Sequence, residues 1–272
     1  MVADPIVPPQ HGRMLLQTLP DGDLLCISQP AHAVVSGQLA RAWGAPGFHR
    51  PAPLEPVVLA CAQHDIAWLD WELAPGFDAE TGQPRGFRHV GARIHAPMWS
   101  LGVDRALAAW GLWPALLISR HGTLIYTRFM DRHRVAAEDA AAADAYMAEQ
   151  AVRQADWISQ LGASEAEVAA NSALLAAVDQ MSLVICWGDT TEAGTVAGHA
   201  PTADGGTRPL TFRRAGPRAL ICDPWPFLGD ALRVETEVRR LPAPATYPDA
   251  AAMGAALAAA PWETLAVTLH PA

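Results

Sequence analysis

Three histidines and two aspartates stand at core-facing positions of segments with helical periodicity. His32 shares a face with Val35 and Leu39 in "PAHAVVSGQLARAW". His64 closes the stripe of Val57, Ala60 and Cys61 in "LACAQHDIAWLDW", with Asp65 beside it. His121 lies one helical turn from Leu117 and Leu124, and Asp179 one turn from Leu175 and Leu183. An unpaired buried carboxylate costs on the order of several kcal/mol, so Asp179 in particular requires a partner. A divalent metal would supply one, and imidazole nitrogen with carboxylate oxygen suits Fe, Mn, Co, Ni or Zn. Taken singly, a histidine on an apolar face is more often a hydrogen-bonded core residue, and a mid-helix aspartate is often met by an arginine. The joint order of the five along separate helical segments is what favours a metal centre.

The elements that must position these groups are readable. "MLLQTL" and "LLCIS" flank a hairpin turn at Asp21-Gly22. Helices follow over the segments of His32 and of His64-Asp65. A glycine-containing loop, "ELAPGFDAETGQPRGFRHVGARI", comes next. "APMWSLGVDRALAAW" reads as a helix with Pro97 in its first turn, and "PALLISRHGTLIYTRF" as another. A solvated helix spans about 135–161. Ser164 with Glu167 forms a capping-box signature for "EAEVAANSALLAAVDQMSLVIC". Past Trp187 a Gly/Thr-rich connection leads to "RPLTFRR", "RALICDPWPF", "ALRVETEVRRL", an Ala-rich helix and "TLAVTLHP". The expected architecture is mainly α: one domain over 1–272, with a helical core at 28–187. The terminal segments, 1–27 and 188–272, would join in a small β-sheet.

Composition narrows the function. The 272-residue chain carries −9, with nineteen basic residues against twenty-eight acidic ones. Its field repels polyanions, so neither nucleic acid nor a membrane surface is an expected partner. Every basic residue is arginine. A lysine Schiff base or phosphate-loop lysine is therefore ruled out, and an anion clamp must be built from Arg. Cys26, Cys61, Cys186 and Cys222 stand singly in apolar runs, as reduced buried thiols do. "MVADPIVPPQHGR" lacks the pattern of a signal peptide, which makes the cytoplasm the expected location.

The order H…HD…H…H…D resembles the HD-domain superfamily of metal-dependent enzymes, over about residues 28–187. The matching positions are His32, His64-Asp65, His95, His121 and Asp179. "SQPAH", "HDIAWLDWE", "TGQPRGF", "LLISRHG" and "DPWPF" more narrowly resemble a bacterial branch classed as a domain of unknown function. His89 competes with His95, which is preferred because it stands directly before a helix start. The resemblance implies a dinuclear centre holding two divalent ions (Fe, Mn, Ni or Zn). His32, His64 and Asp179 would hold the first ion and His95 and His121 the second, with Asp65 bridging. Adjacent helical positions are about 100° apart, which would let His64 face one ion while Asp65 reaches between two. Two such ions against two aspartates leave about +2, which would attract a small anionic substrate.

The chain departs from many HD hydrolases at Ala67 and Trp68, where a glycine and a basic residue are usual. A phosphate would have to meet Arg120, Arg93, Arg88 or Arg85. Arg120, adjoining His121, is the preferred catalytic partner of Asp65. Gln29, Trp68 and Arg93 are candidate substrate contacts, and Trp71 and Trp99 candidate walls, although core packing is the commoner role for tryptophan. The leading expectation is a hydrolase of a small phosphoester. The alternatives are a di-iron oxygenase cleaving C–C or C–P bonds, a non-catalytic metal-binding protein and a purely structural cluster. A homo-oligomer is left open.

Overall fold

The structure, a computed structural model, describes residues 14–87 and 90–272. The segment before Met14, read above for a signal peptide, lies outside the described residues. Gly22, at φ +88°, turns the chain between β1 (Leu15–Thr18) and antiparallel β2 (Leu24–Ile27), as the Asp-Gly signal predicts. Ser28 then caps α1 (Gln29–Ala42), its hydroxyl accepting the N–H of Ala31. Next come α2 (Leu54–Gln63), a 3-10 turn at Ile66–Trp68 and the single-turn α3 (Leu69–Glu72). The long loop contains a minimal hairpin of β3 (Phe77–Asp78) and β4 (Gln83–Pro84). Four long helices follow: α4 (Ala92–Trp110), α5 (Leu112–Arg128), α6 (Ala137–Leu161) and α7 (Glu165–Trp187). Ser164 accepts the Glu167 N–H at the start of α7, as the capping signature requires. The helix of the Met98 segment begins earlier than its proline suggests, so Pro97 lies inside α4 rather than in its first turn.

The remaining elements are β5 (Thr195–Pro201), β6 (Thr207–Gly216), β7 (Ala219–Asp223), β8 (Leu232–Leu241), α8 (Ala250–Ala259) and β9 (Trp262–Pro271). Here the expectation of a mainly α bundle with a small sheet is overturned. Seven strands join in one curled mixed sheet, ordered β1-β2-β8-β9-β7-β6-β5, antiparallel throughout except between β7 and β9. The sheet is a full layer of the protein. β5 escapes a reading by alternation because Gly198 interrupts it. That residue adopts φ +127° at a register shift, and a Cβ there would lie 3.2 Å from the Ala177 carbonyl of α7. The break that disguises the strand is the point at which the helix presses on it.

Helices and sheet share one apolar core. Leu39 of α1, Val57 of α2 and Leu174 and Met181 of α7 pack with Phe212, Val234 and Leu269 of the sheet. A second core, with Trp99, Leu116, Tyr146 and Trp157, joins α4, α5 and α6 to the 3-10 turn. A third lies beneath α8, around Leu24, Leu241 and Met253. The α7 helix is long and apolar enough to cross a membrane, but just over half of its apolar window is buried inside the protein, as a core helix requires. α1 and α2 cross closely, because a Cβ on Gly37 would fall 2.5 Å from that of Ala62. This crossing sets the distance between the segments that carry His32 and His64.

Candidate metal centre

His32 sits in the first turns of α1, His121 in the middle of α5 and Asp179 in the middle of α7. His64 and Asp65 follow the last turn of α2, where the α-helix yields to the 3-10 turn and Asp65 takes φ −97°, ψ 21°. This change of helix type lets two consecutive side chains approach one centre, which an unbroken helix would splay by about 100°. All four residues of the His32, His64, Asp65 and His121 set are buried, and the Asp179 side chain is 18% exposed.

Asp179 is the hub. Its Oδ1 lies 3.2 Å from Nε2 of His32 and 3.2 Å from Nε2 of His64, and its Oδ2 lies 3.6 Å from Nε2 of His121. Asp65 Oδ2 lies 3.5 Å from His32 Nε2 and 3.8 Å from His64 Nε2. Ligand atoms around an ion at about 2.1 Å are themselves roughly 3.0–3.4 Å apart in octahedral or tetrahedral sites. The two contacts at 3.2 Å have that spacing, the other three are longer by a few tenths of an ångström, and the set has the nitrogen–oxygen chemistry of a divalent transition metal. Two triads keep their ligand atoms within 4.8 Å of one another, His32–His64–Asp65 and His64–His121–Asp179, and they share His64.

The tautomer of His64 sharpens this fit. Its Nδ1 is 2.9 Å from the Cys61 carbonyl, which can only accept, so Nδ1 carries a proton. A neutral His64 would then turn a bare Nε2 lone pair toward the Asp179 carboxylate, acceptor against acceptor. A cation, proton or metal, must lie between them. With protons alone, burial would depress His64, but Asp65 and then Asp179 raise it to about 9. Burial pushes Asp65 upward, partly offset by His64 and His32. The same burial acts on Asp179, yet hydrogen bonds with His32 and His64 hold it well below the usual carboxylate range. His121 is lowered to about 4, first by burial, and is a neutral imidazole near pH 7.

His95 is placed differently. It lies within the first turns of α4 rather than before the helix start. Its Nε2 accepts the Trp99 indole N–H at 2.6 Å, and its Nδ1 lies 2.8 Å from the Tyr126 hydroxyl. Indole nitrogen only donates, so the lone pair that would hold a metal is already engaged. Burial lowers His95 to about 3. The structure therefore brings His32, His64, Asp65, His121 and Asp179 together and keeps His95 beyond Trp99, whose ring lies 5.7 Å from both His95 and His121. His89 and Arg88 lie outside the described residues.

The expected substrate contacts also separate. Arg120 forms an ion pair with Glu165 at the start of α7, so its charge is engaged there. Arg93 is exposed, and its backbone N–H donates to Asp139. Trp68 is buried, with its ring 5.5 Å from both Trp71 and His95. Gln29 is buried, and its backbone N–H donates to Glu72 Oε1 at 2.8 Å. Glu72 was missed as a supporting residue: it holds the start of the His32 helix, and burial raises it to about 8. Its place at the end of "HDIAWLDWE" was the available signal. Trp99 was legible as a neighbour of His95 from their four-residue spacing, whereas nothing local announces Tyr126.

No curated protein and no solved structure matches the chain. The model of a family described as proteins of unknown function, DUF3891, matches residues 14–243. That stretch holds every element from β1 to β8, so it includes both the candidate metal centre and most of the sheet. β9 lies beyond it, although it is seated between β8 and β7. The chain is a member of the DUF3891 family of proteins of unknown function.

Proposed function

We propose that this chain is a metal-dependent hydrolase of a small phosphoester, with an HD-type centre made by His32, His64, Asp65 and Asp179. The observation that carries the reading is the meeting of His32 Nε2 and His64 Nε2 on one Asp179 oxygen at 3.2 Å each, with the His64 tautomer held by Cys61. A divalent ion at such a centre supplies a water of lowered pKa and stabilises charge on a phosphoryl group. The residues themselves do the positioning. Cys61 orients His64, Glu72 holds the start of the His32 helix, and His121 borders the centre as a neutral imidazole.

One ion is favoured over two, because Trp99 engages the Nε2 that the second ion would need from His95. The same observation counts against a di-iron oxygenase, which needs both positions. A small anionic substrate and a cytoplasmic location belong to this proposal.

Elemental analysis of purified and metal-reconstituted protein is the first test, with about one ion per chain expected. Manganese- or nickel-stimulated release of p-nitrophenol from bis-p-nitrophenyl phosphate, abolished in Asp65→Ala, would support the hydrolase. Less than about a tenth of an ion per chain after reconstitution would remove the metal centre altogether. Two irons with a mixed-valence EPR signal would replace the hydrolase by the oxygenase.

A further inference from the structure

We propose that a second ligand site lies at the far end of α7, and that it binds a small molecule joining a flat aromatic ring to one carboxylate or phosphate group. A cleft of about 1210 Å³ opens there between the end of α7, β1, the β6–β7 turn and β9. None of the five histidine and aspartate residues of the candidate centre lines it. Its volume is ample for a ligand of that class.

Three features define the chemistry. First, in a chain of net charge −9, Arg85, Arg214 and Arg218 line this one cleft, against Asp78 and Asp189. Arg214 is engaged with the carbonyls of Gly188 and Thr190 at the end of α7. Among the described residues, no carboxylate lies within ion-pair distance of Arg85 or Arg218, which leaves two guanidinium groups for an anion. Guanidinium matches carboxylate and phosphate oxygens with paired donors. Second, the rings of Phe87 and Trp187 lie 5.6 Å apart at an interplanar angle of 10°, a flat wall for a planar body. Third, Gln17 lines the cleft, and its Oε1, shielded from solvent, has no hydrogen-bond donor among the described residues. Its amide passes so close to Gly188 that a Cβ there would fall 2.2 Å from Nε2.

The site does not depend on the metal centre, so it is tested on chelator-treated full-length protein and on Asp65→Ala. The probes are 1-naphthoate and 1-naphthyl phosphate, which separate carboxylate from phosphate preference, with uncharged 1-naphthylmethanol as the control. Calorimetry and quenching of tryptophan fluorescence should both give about one site per chain, with unchanged affinity in Asp65→Ala. Arg85→Gln and Arg218→Gln should each weaken the preferred anion about tenfold, and the control should bind at least tenfold more weakly than that anion. Arg218 is exposed and Arg85 lies in a loop, so neither change threatens the fold. Absence of saturable binding of either anion up to about 5 mM would overturn the proposal. So would undiminished affinity in both arginine variants.

Discussion

Replacing Asp179 by asparagine keeps the shape of the hub and removes the charge that His32 and His64 share. In the metal-free protein, Asp65 and Asp179 together carry His64 from 6.5 to about 9 against the opposing effect of burial. A rise of that size corresponds to about 3 kcal/mol of stability, of which Asp179 supplies part. For a base whose folded pKa is raised, the contribution is complete below pH 6.5 and is lost as pH climbs through about 9. Chelator-treated Asp179→Asn should therefore be less stable than the parent by about 1–3 kcal/mol at pH 6, with the gap closing above pH 9. Added metal should widen the difference. Loss of outer-shell partners alone typically costs 10–100-fold in affinity, so loss of this carboxylate should cost at least about a hundredfold. Saturating manganese or zinc would then raise the midpoint of the parent but not that of the variant. Urea denaturation from pH 6 to 10, with chelator and with metal, reads both effects. A variant as stable as the parent at pH 6 and equal to it in metal affinity would refute the assignment of Asp179 as the hub.

Gly37→Ala would place a methyl group 2.5 Å from the Ala62 Cβ and wedge α1 from α2. It should destabilise the protein by about 1–3 kcal/mol and weaken metal binding more than tenfold, although Gly37 touches no proposed ligand; thermal melts and metal titration check this. Trp99→Phe releases His95 Nε2, and elemental analysis should then show metal content rising from about one toward two ions per chain; an unchanged ratio would mean that His95 is no ligand. Glu72 is pushed up to about 8 by burial, so the folded state retains a proton that the unfolded state releases near 4.5. Parent stability should fall as pH rises between those values, while Glu72→Gln shows a flatter profile in denaturant titrations. Because Glu72 is only half-buried by area, the slope should stay well under the limit of about 1.4 kcal/mol per pH unit.

Much of the candidate centre was legible locally. His32, His121 and Asp179 declare themselves because a polar group on an apolar helix stripe stands out against periodicity, and His64-Asp65 because the pair ends such a stripe. The Asp21-Gly22 hairpin and the Ser164 cap were equally readable, since turn and cap chemistry acts within a few residues. The sheet was not. β5 is concealed by Gly198, whose conformation answers to α7 rather than to its own neighbours, and β9 reaches its place beside β7 only through pairing across the sheet. The fate of His95 likewise required the fold. Its spacing offered a ligand, but its lone pair faces Trp99 and its other nitrogen faces Tyr126 from α5. Residue type and period determined which side chains had to be buried with partners. Only the packing of separate elements decided which partners they met, because hydrogen-bond direction and pairing across a sheet are set by neighbours distant in the chain.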